Sequence, residues 1–81
     1  MPRLTRRAEK DLDRLPERLA SKAREIIRRL DDEPMIGNKL KGALQGRRAA
    51  RLGRSHRILY TATGGDVVVL AITARKDAYR S

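Results

Sequence analysis

Apolar positions in the first third of the chain recur at helical spacing. Ala8, Leu12 and Leu15 stand four and three residues apart and predict a helix over residues 6–14, with Thr5 as its N-cap. Leu15-Pro16 interrupts the run, because proline disfavours helical geometry in the residue before it but is well placed at a helix's first position. A second helix is therefore expected to start at Pro16 or Glu17. Its apolar stripe is Leu19, Ala23, Ile26, Ile27 and Leu30; the opposite side carries Arg18, Lys22, Glu25, Arg28 and Arg29. Glu25 and Arg29 are spaced as a favourable i,i+4 pair. Pro34 ends the helix.

After a connection over residues 35–43 the period shortens to that of strands. Segments 47–52, 56–62 and 66–73 read as β, joined by Gly53-Arg54-Ser55 and by Gly64-Gly65, both suited to tight turns. The expected fold class is α+β: an N-terminal helical hairpin packed on a small twisted antiparallel sheet, in one domain spanning 1–81. Alternation sends Ile58 and Tyr60 one way and Arg57, Leu59 and Thr61 the other. On the strand before, Ala50 and Leu52 oppose Arg47, Ala49 and Arg51. On the last strand it sets Val68, Leu70 and Ile72 against Val67, Val69 and Ala71. A strand apolar on both faces expects cover on both, and one helical hairpin covers one. Leu59, Val67, Val69 and Ala71 are thus expected to line a groove for an amphipathic, acidic partner helix.

Composition removes several function classes. The chain has no cysteine and one histidine, so neither a disulfide framework nor a metal-ligand set is expected, and no cofactor. Tyr60 and Tyr79 are the only aromatic residues, which makes the core aliphatic and leaves too few rings for a base-stacking platform. No signal peptide is visible, and the longest apolar run, Val67 to Ile72, is far too short to cross a bilayer. The cytoplasm is the expected compartment, without membrane contact.

Charge then points to one segment. The formal net charge is +10, and residues 34–65 hold seven Lys/Arg and no acid, whereas the first 33 residues hold ten bases against eight acids. Such uncompensated charge destabilises a compact state unless a polyanion or an acidic partner meets it. Five arginines fall between Arg47 and Tyr60. A guanidinium forks two donors onto phosphate oxygens, which a lysine cannot do. Arg51, Arg57 and Arg75 on one face would hold a phosphodiester and stabilise the charge that builds on it during displacement. None of them can act as a general base. Tyr79 is the candidate proton acceptor for a ribose 2′-OH, since neighbouring arginines favour the phenolate; the alternative role is an aromatic anchor for the C-terminal run. Lys39, Lys41, Arg47, Arg48, Arg54, Lys76 and Arg80 are expected to contact RNA. His56 falls by alternation with Ile58 and Tyr60, away from Arg57, and reads as a turn-flanking or edge residue, with a role in the site as the lesser alternative. The acids are expected on the solvent side of the helices, paired with Arg and Lys.

The order of these features resembles a known family. Asn38-Lys39-Leu40-Lys41-Gly42, then Arg51-Leu52-Gly53, then His56-Arg57-Ile58-Leu59-Tyr60 is similar to the signature of RelE/ParE-type toxins of bacterial type II toxin–antitoxin pairs. Val67-Val68-Val69-Leu70-Ala71-Ile72 followed by Ala74-Arg75-Lys76-Asp77-Ala78-Tyr79-Arg80 resembles that family's last strand and C-terminal motif. Ala8, Asp11, Leu12, Leu15 and Pro16 match its usual first-helix opening. The resemblance covers about residues 5–80. It departs at Ala49 and Ala74, where relatives commonly carry a basic residue and a histidine, at His56, where an aromatic is usual, and in a first strand reduced to Pro2–Thr5. The resemblance implies a RelE-like fold bound by a cognate acidic antitoxin in a hetero-oligomer. It also implies a ribosome-dependent mRNA endoribonuclease acting in the A site by metal-free 2′-OH attack, with Arg51, Arg57, Arg75 and Tyr79 at catalytic or phosphate-binding positions. Inhibition of DNA gyrase in the manner of ParE, or a basic RNA- or ribosome-binding module without catalysis, are the alternatives.

Overall fold

The computed structural model describes residues 2–39 and 46–74. Its elements are β1 (Arg3–Leu4), α1 (Arg6–Arg14), α2 (Glu17–Leu30), β2 (Asn38–Lys39), β3 (Arg47–Leu52), β4 (His56–Thr63) and β5 (Asp66–Ala74). Both helices form where the apolar spacing places them. Thr5 caps α1 by accepting the Ala8 N–H on its hydroxyl at 3.1 Å, and Pro16 stands immediately before α2. The i,i+4 partner of Arg29 is Glu33, at 3.0 Å on its C-terminal side, rather than the expected Glu25.

The sheet has five strands in the order β1-β5-β4-β3-β2. The three long strands make the expected antiparallel meander, and two short ones extend it. β1 pairs parallel with β5, through Arg3 with Val68 and Leu4 with Val69. β2 pairs antiparallel with β3, so part of the expected connection is a strand. Both additions are two residues long, too short for any alternating pattern to show.

Beyond β1, two edge groups of β5 are taken up by side chains at the start of the helical layer, those of the N-cap Thr5 and of Asp11 in α1. Thr5 Oγ1 donates to the Leu70 carbonyl at 2.7 Å, and the Ile72 N–H donates to Asp11 Oδ2 at 3.0 Å. Edge strands left with unpaired backbone groups recruit other chains, and these two bonds satisfy the edge from within. Asp11 also lies 3.6 Å from Arg7. It is therefore a sheet cap as well as a helix-surface acid, which corrects the expectation that all helix acids serve only solvent-side pairs.

A register shift changes which valines face inward. Tyr60 pairs with Val69 but Leu59 pairs with Ala71, so Leu70 is an extra residue on β5. One extra residue reverses the alternation on either side of it. Val67, Val69 and Ile72 consequently all join the core, with Ala8, Ala23, Ile27 and Leu30 from the helices and Ala50, Leu52, Ile58 and Tyr60 from the sheet. Val69 is 0% exposed. The expectation that Val67 and Val69 line a partner groove is thus overturned. Leu59 and Ala71 do sit opposite each other on the second face, where Leu59 is half-buried and Ala71 is 4% exposed.

Tyr60 is the largest fully buried side chain, and its hydroxyl organises the approach to β2. It donates to the Pro34 carbonyl at 2.7 Å and accepts the Gly37 N–H at 2.9 Å. A Cβ on Gly37 would lie 2.6 Å from that hydroxyl and 2.8 Å from the Ala49 carbonyl, so only glycine fits. Among the described residues, no helix is long and apolar enough to cross a membrane.

Candidate nucleic-acid site

The β3–β4 hairpin brings its arginines together across the ladder. Arg51 and Arg57 are directly opposed cross-strand partners, on the face turned away from the helices. Opposed in this way, the two guanidinium groups put their positive charge side by side at one end of the sheet. Gly53 makes the turn possible with φ of 62°, a left-handed conformation that side-chain-bearing residues rarely adopt, and a Cβ there would lie 3.6 Å from Leu19 Cδ2 of α2.

A hollow of about 140 Å³ opens at this end of the sheet, lined by Arg51, Gly53, Arg54, His56 and Arg57. Arg57 is 6% exposed, buried although charged, while Arg51 and Arg54 are exposed. A guanidinium's planar fork of donors is well shaped for phosphate oxygens. Ser55 Oγ lies 2.7 Å from His56 Nδ1. The hollow therefore combines three permanent cations with one group able to transfer a proton.

The other expected RNA contacts divide between faces. Arg47 lies in register with Arg51 on the second face and is exposed. Arg48 pairs across from the core residue Tyr60, so it belongs to the helix-covered face, where its guanidinium donates to the Met35 carbonyl at 3.4 Å. Lys39 is its cross-strand neighbour on β2. The structure thus separates Arg48 and Lys39 from the arginine hollow. Lys41, Arg75, Lys76, Tyr79 and Arg80 lie outside the described residues. His56, which reads from sequence first as a turn-flanking or edge residue and second as a site residue, is among the residues lining the hollow. Alternation puts it with Ile58, yet it opens β4 beside the turn and is among the residues that line the same hollow as Arg57. Its place beside Gly53-Arg54-Ser55 was the available signal, since alternation says least where a strand begins.

Known proteins agree with this architecture. The family model described as ParE toxin of type II toxin–antitoxin system, parDE, matches residues 3–79. Among solved structures, the toxin–antitoxin complex RelBE2 of Mycobacterium tuberculosis contains a chain 33% identical, with a TM-score of 0.83, covering 93% of this chain and 96% of that one. The YoeB/ParE toxin from Agrobacterium tumefaciens is 24% identical with a TM-score of 0.80, over 93% and 99% of the two chains. The RelB–RelE antitoxin–toxin complex of Methanococcus jannaschii is 19% identical with a TM-score of 0.77, over 96% and 95%. Comparison with curated proteins gives no match. Since the match spans both helices and every described strand, and the same two-layer fold recurs over nearly the full length of these toxins, the chain belongs to the ParE toxin family of type II toxin–antitoxin systems, within the RelE/ParE superfamily.

Proposed function

We propose that the chain is the toxin of a type II pair that cuts mRNA on translating ribosomes. The ribose 2′-OH attacks the adjacent phosphorus, the P–O5′ bond breaks, and a 2′,3′-cyclic phosphate and a 5′-OH result. The observation that carries the reading is the Arg51–Arg57 pair, opposed across one ladder and lining one hollow with Arg54, in a segment without acids. Such a cluster suits the dianionic charge of a pentacoordinate phosphorane better than the single charge of a resting phosphodiester, which is the requirement for catalysis rather than binding. Arg75 would add to the phosphate contacts and Tyr79 would accept the 2′-OH proton.

The partner in this reading is an acidic antitoxin, and the chain works in the cytoplasm. Two of the solved relatives are complexes of a toxin with its antitoxin, which supports this assignment. An acidic antitoxin segment lying over the arginine hollow would neutralise the segment's charge and occlude the phosphate site together.

A second reading has its own observation. The match to the ParE family model favours inhibition of DNA gyrase without catalysis. One experiment separates the two. Purified toxin is added to ribosomes programmed with a defined mRNA and, in parallel, to gyrase with relaxed plasmid. Cleavage that a single 2′-deoxy substitution at the scissile nucleotide blocks is the expected result; intact mRNA with arrested supercoiling would establish the gyrase reading instead.

A further inference from the structure

We propose that His56 is a catalytic residue, the general acid that protonates the departing O5′. The inference rests on the ribonuclease reading above. Of the described residues lining the hollow, Arg51, Arg54 and Arg57 carry guanidinium groups, which stabilise charge but are poor proton-transfer groups. An imidazole nitrogen can both give and accept a proton, and among the described residues lining the hollow His56 is the one that carries such a ring.

The geometry also orients the ring. Ser55 Oγ engages Nδ1 at 2.7 Å, so Nε2 is the nitrogen that can reach a substrate. Cross-strand neighbours Leu52 on β3 and Ala74 on β5 flank His56 and bring no charge of their own. Among the described residues, the charged groups that line the hollow with it are Arg51, Arg54 and Arg57. A phosphodiester held by Arg51 and Arg57 would lie beside the ring. As the 2′-oxygen bonds to phosphorus and the P–O5′ bond breaks, the electron pair moves onto O5′. The Nε2 proton goes to that oxygen, leaving neutral imidazole and a free 5′-OH.

The test uses two synthetic mRNAs bound to ribosomes. One has an ordinary scissile linkage, and the other carries sulfur in place of the bridging O5′, whose thiolate leaves without protonation. Wild-type toxin should cut both. His56→Gln should cut the ordinary RNA slower by about 10²–10⁴-fold, the usual scale of general acid catalysis, and cut the sulfur-linked RNA at the wild-type rate. That rescue also shows the variant to be folded. Arg57→Ala should stay slow on both. A His56→Gln protein that cuts ordinary RNA at the wild-type rate overturns the inference, and so does one equally impaired on both RNAs. Wild-type protein that cuts neither removes the ribonuclease reading itself, and this inference with it.

Discussion

At the scale of single residues, the structure distinguishes side chains that build the site from those that hold it in place. Arg51→Ala and Arg57→Ala should each slow mRNA cleavage by roughly 10²–10³, the cost of one lost donor to a charge that develops in the transition state. Arg57→Lys should recover only part of that rate, because an ammonium keeps the charge but not the fork. Single-turnover cleavage on programmed ribosomes checks both. Gly37 and Tyr60 act differently. Tyr60→Phe leaves the Gly37 N–H and the Pro34 carbonyl without the hydroxyl that serves them, at a cost of about 1–3 kcal/mol. Gly37→Ala forces a methyl into the same hydroxyl and the Ala49 carbonyl and should cost about as much through overpacking. Urea denaturation should place both variants well below wild type, although neither residue lines the arginine hollow.

At the scale of elements, the β5 bulge at Leu70 is the feature with the widest consequences. It turns Val67, Val69 and Ile72 to one side and leaves Ala71 on the other. Val69→Asp should therefore prevent folding, since it places a carboxylate at a position with no exposure and exceeds about 4 kcal/mol. Circular dichroism of the purified variant tests this, with loss of the cooperative transition as the expected result. The helix-to-sheet bonds at the same edge make a milder prediction. Asp11→Ala removes the acceptor of the Ile72 N–H and should cost about 1–3 kcal/mol, while Asp11→Asn retains an acceptor oxygen and should cost less. Hydrogen exchange at Ile72 should quicken in the order wild type, Asn, Ala.

For the whole molecule the governing quantity is charge. A chain of net +10 with its basic segment gathered on one hairpin carries self-repulsion that salt or an acidic partner relieves. Added salt should raise the melting temperature of the free toxin while weakening its hold on RNA, because counterion release drives the second and not the first. An antitoxin that binds only the folded form should stabilise it by about 4 kcal/mol at a thousandfold excess over Kd. Thermal melts of free and complexed toxin across a salt series test both statements. A free toxin whose melting point ignores salt would show that the repulsion is already compensated within the chain.

What could be read from the residues alone was whatever depends on local spacing. The 3.6-residue stripe of α2, the proline break at Leu15-Pro16 and the glycine turn at Gly53 are each decided within a few neighbours along the chain. The strand limits of β3 and the shared face of Arg51 and Arg57 followed likewise, because alternation along a short strand is local; that the two are direct cross-strand partners is shown by the ladder itself. The order of motifs carried the family resemblance for the same reason. Contacts between distant residues decided the rest. Asp11 meets the Ile72 N–H, Tyr60 meets Pro34 and Gly37, and β1 finds β5, all through pairs that no local period encodes. The bulge at Leu70 belongs with these, for alternation runs unbroken through Val67-Val68-Val69-Leu70-Ala71-Ile72 as written. Only pairing with β4 on one side and with Thr5 on the other shows where that alternation is interrupted, and hence which valines the core takes.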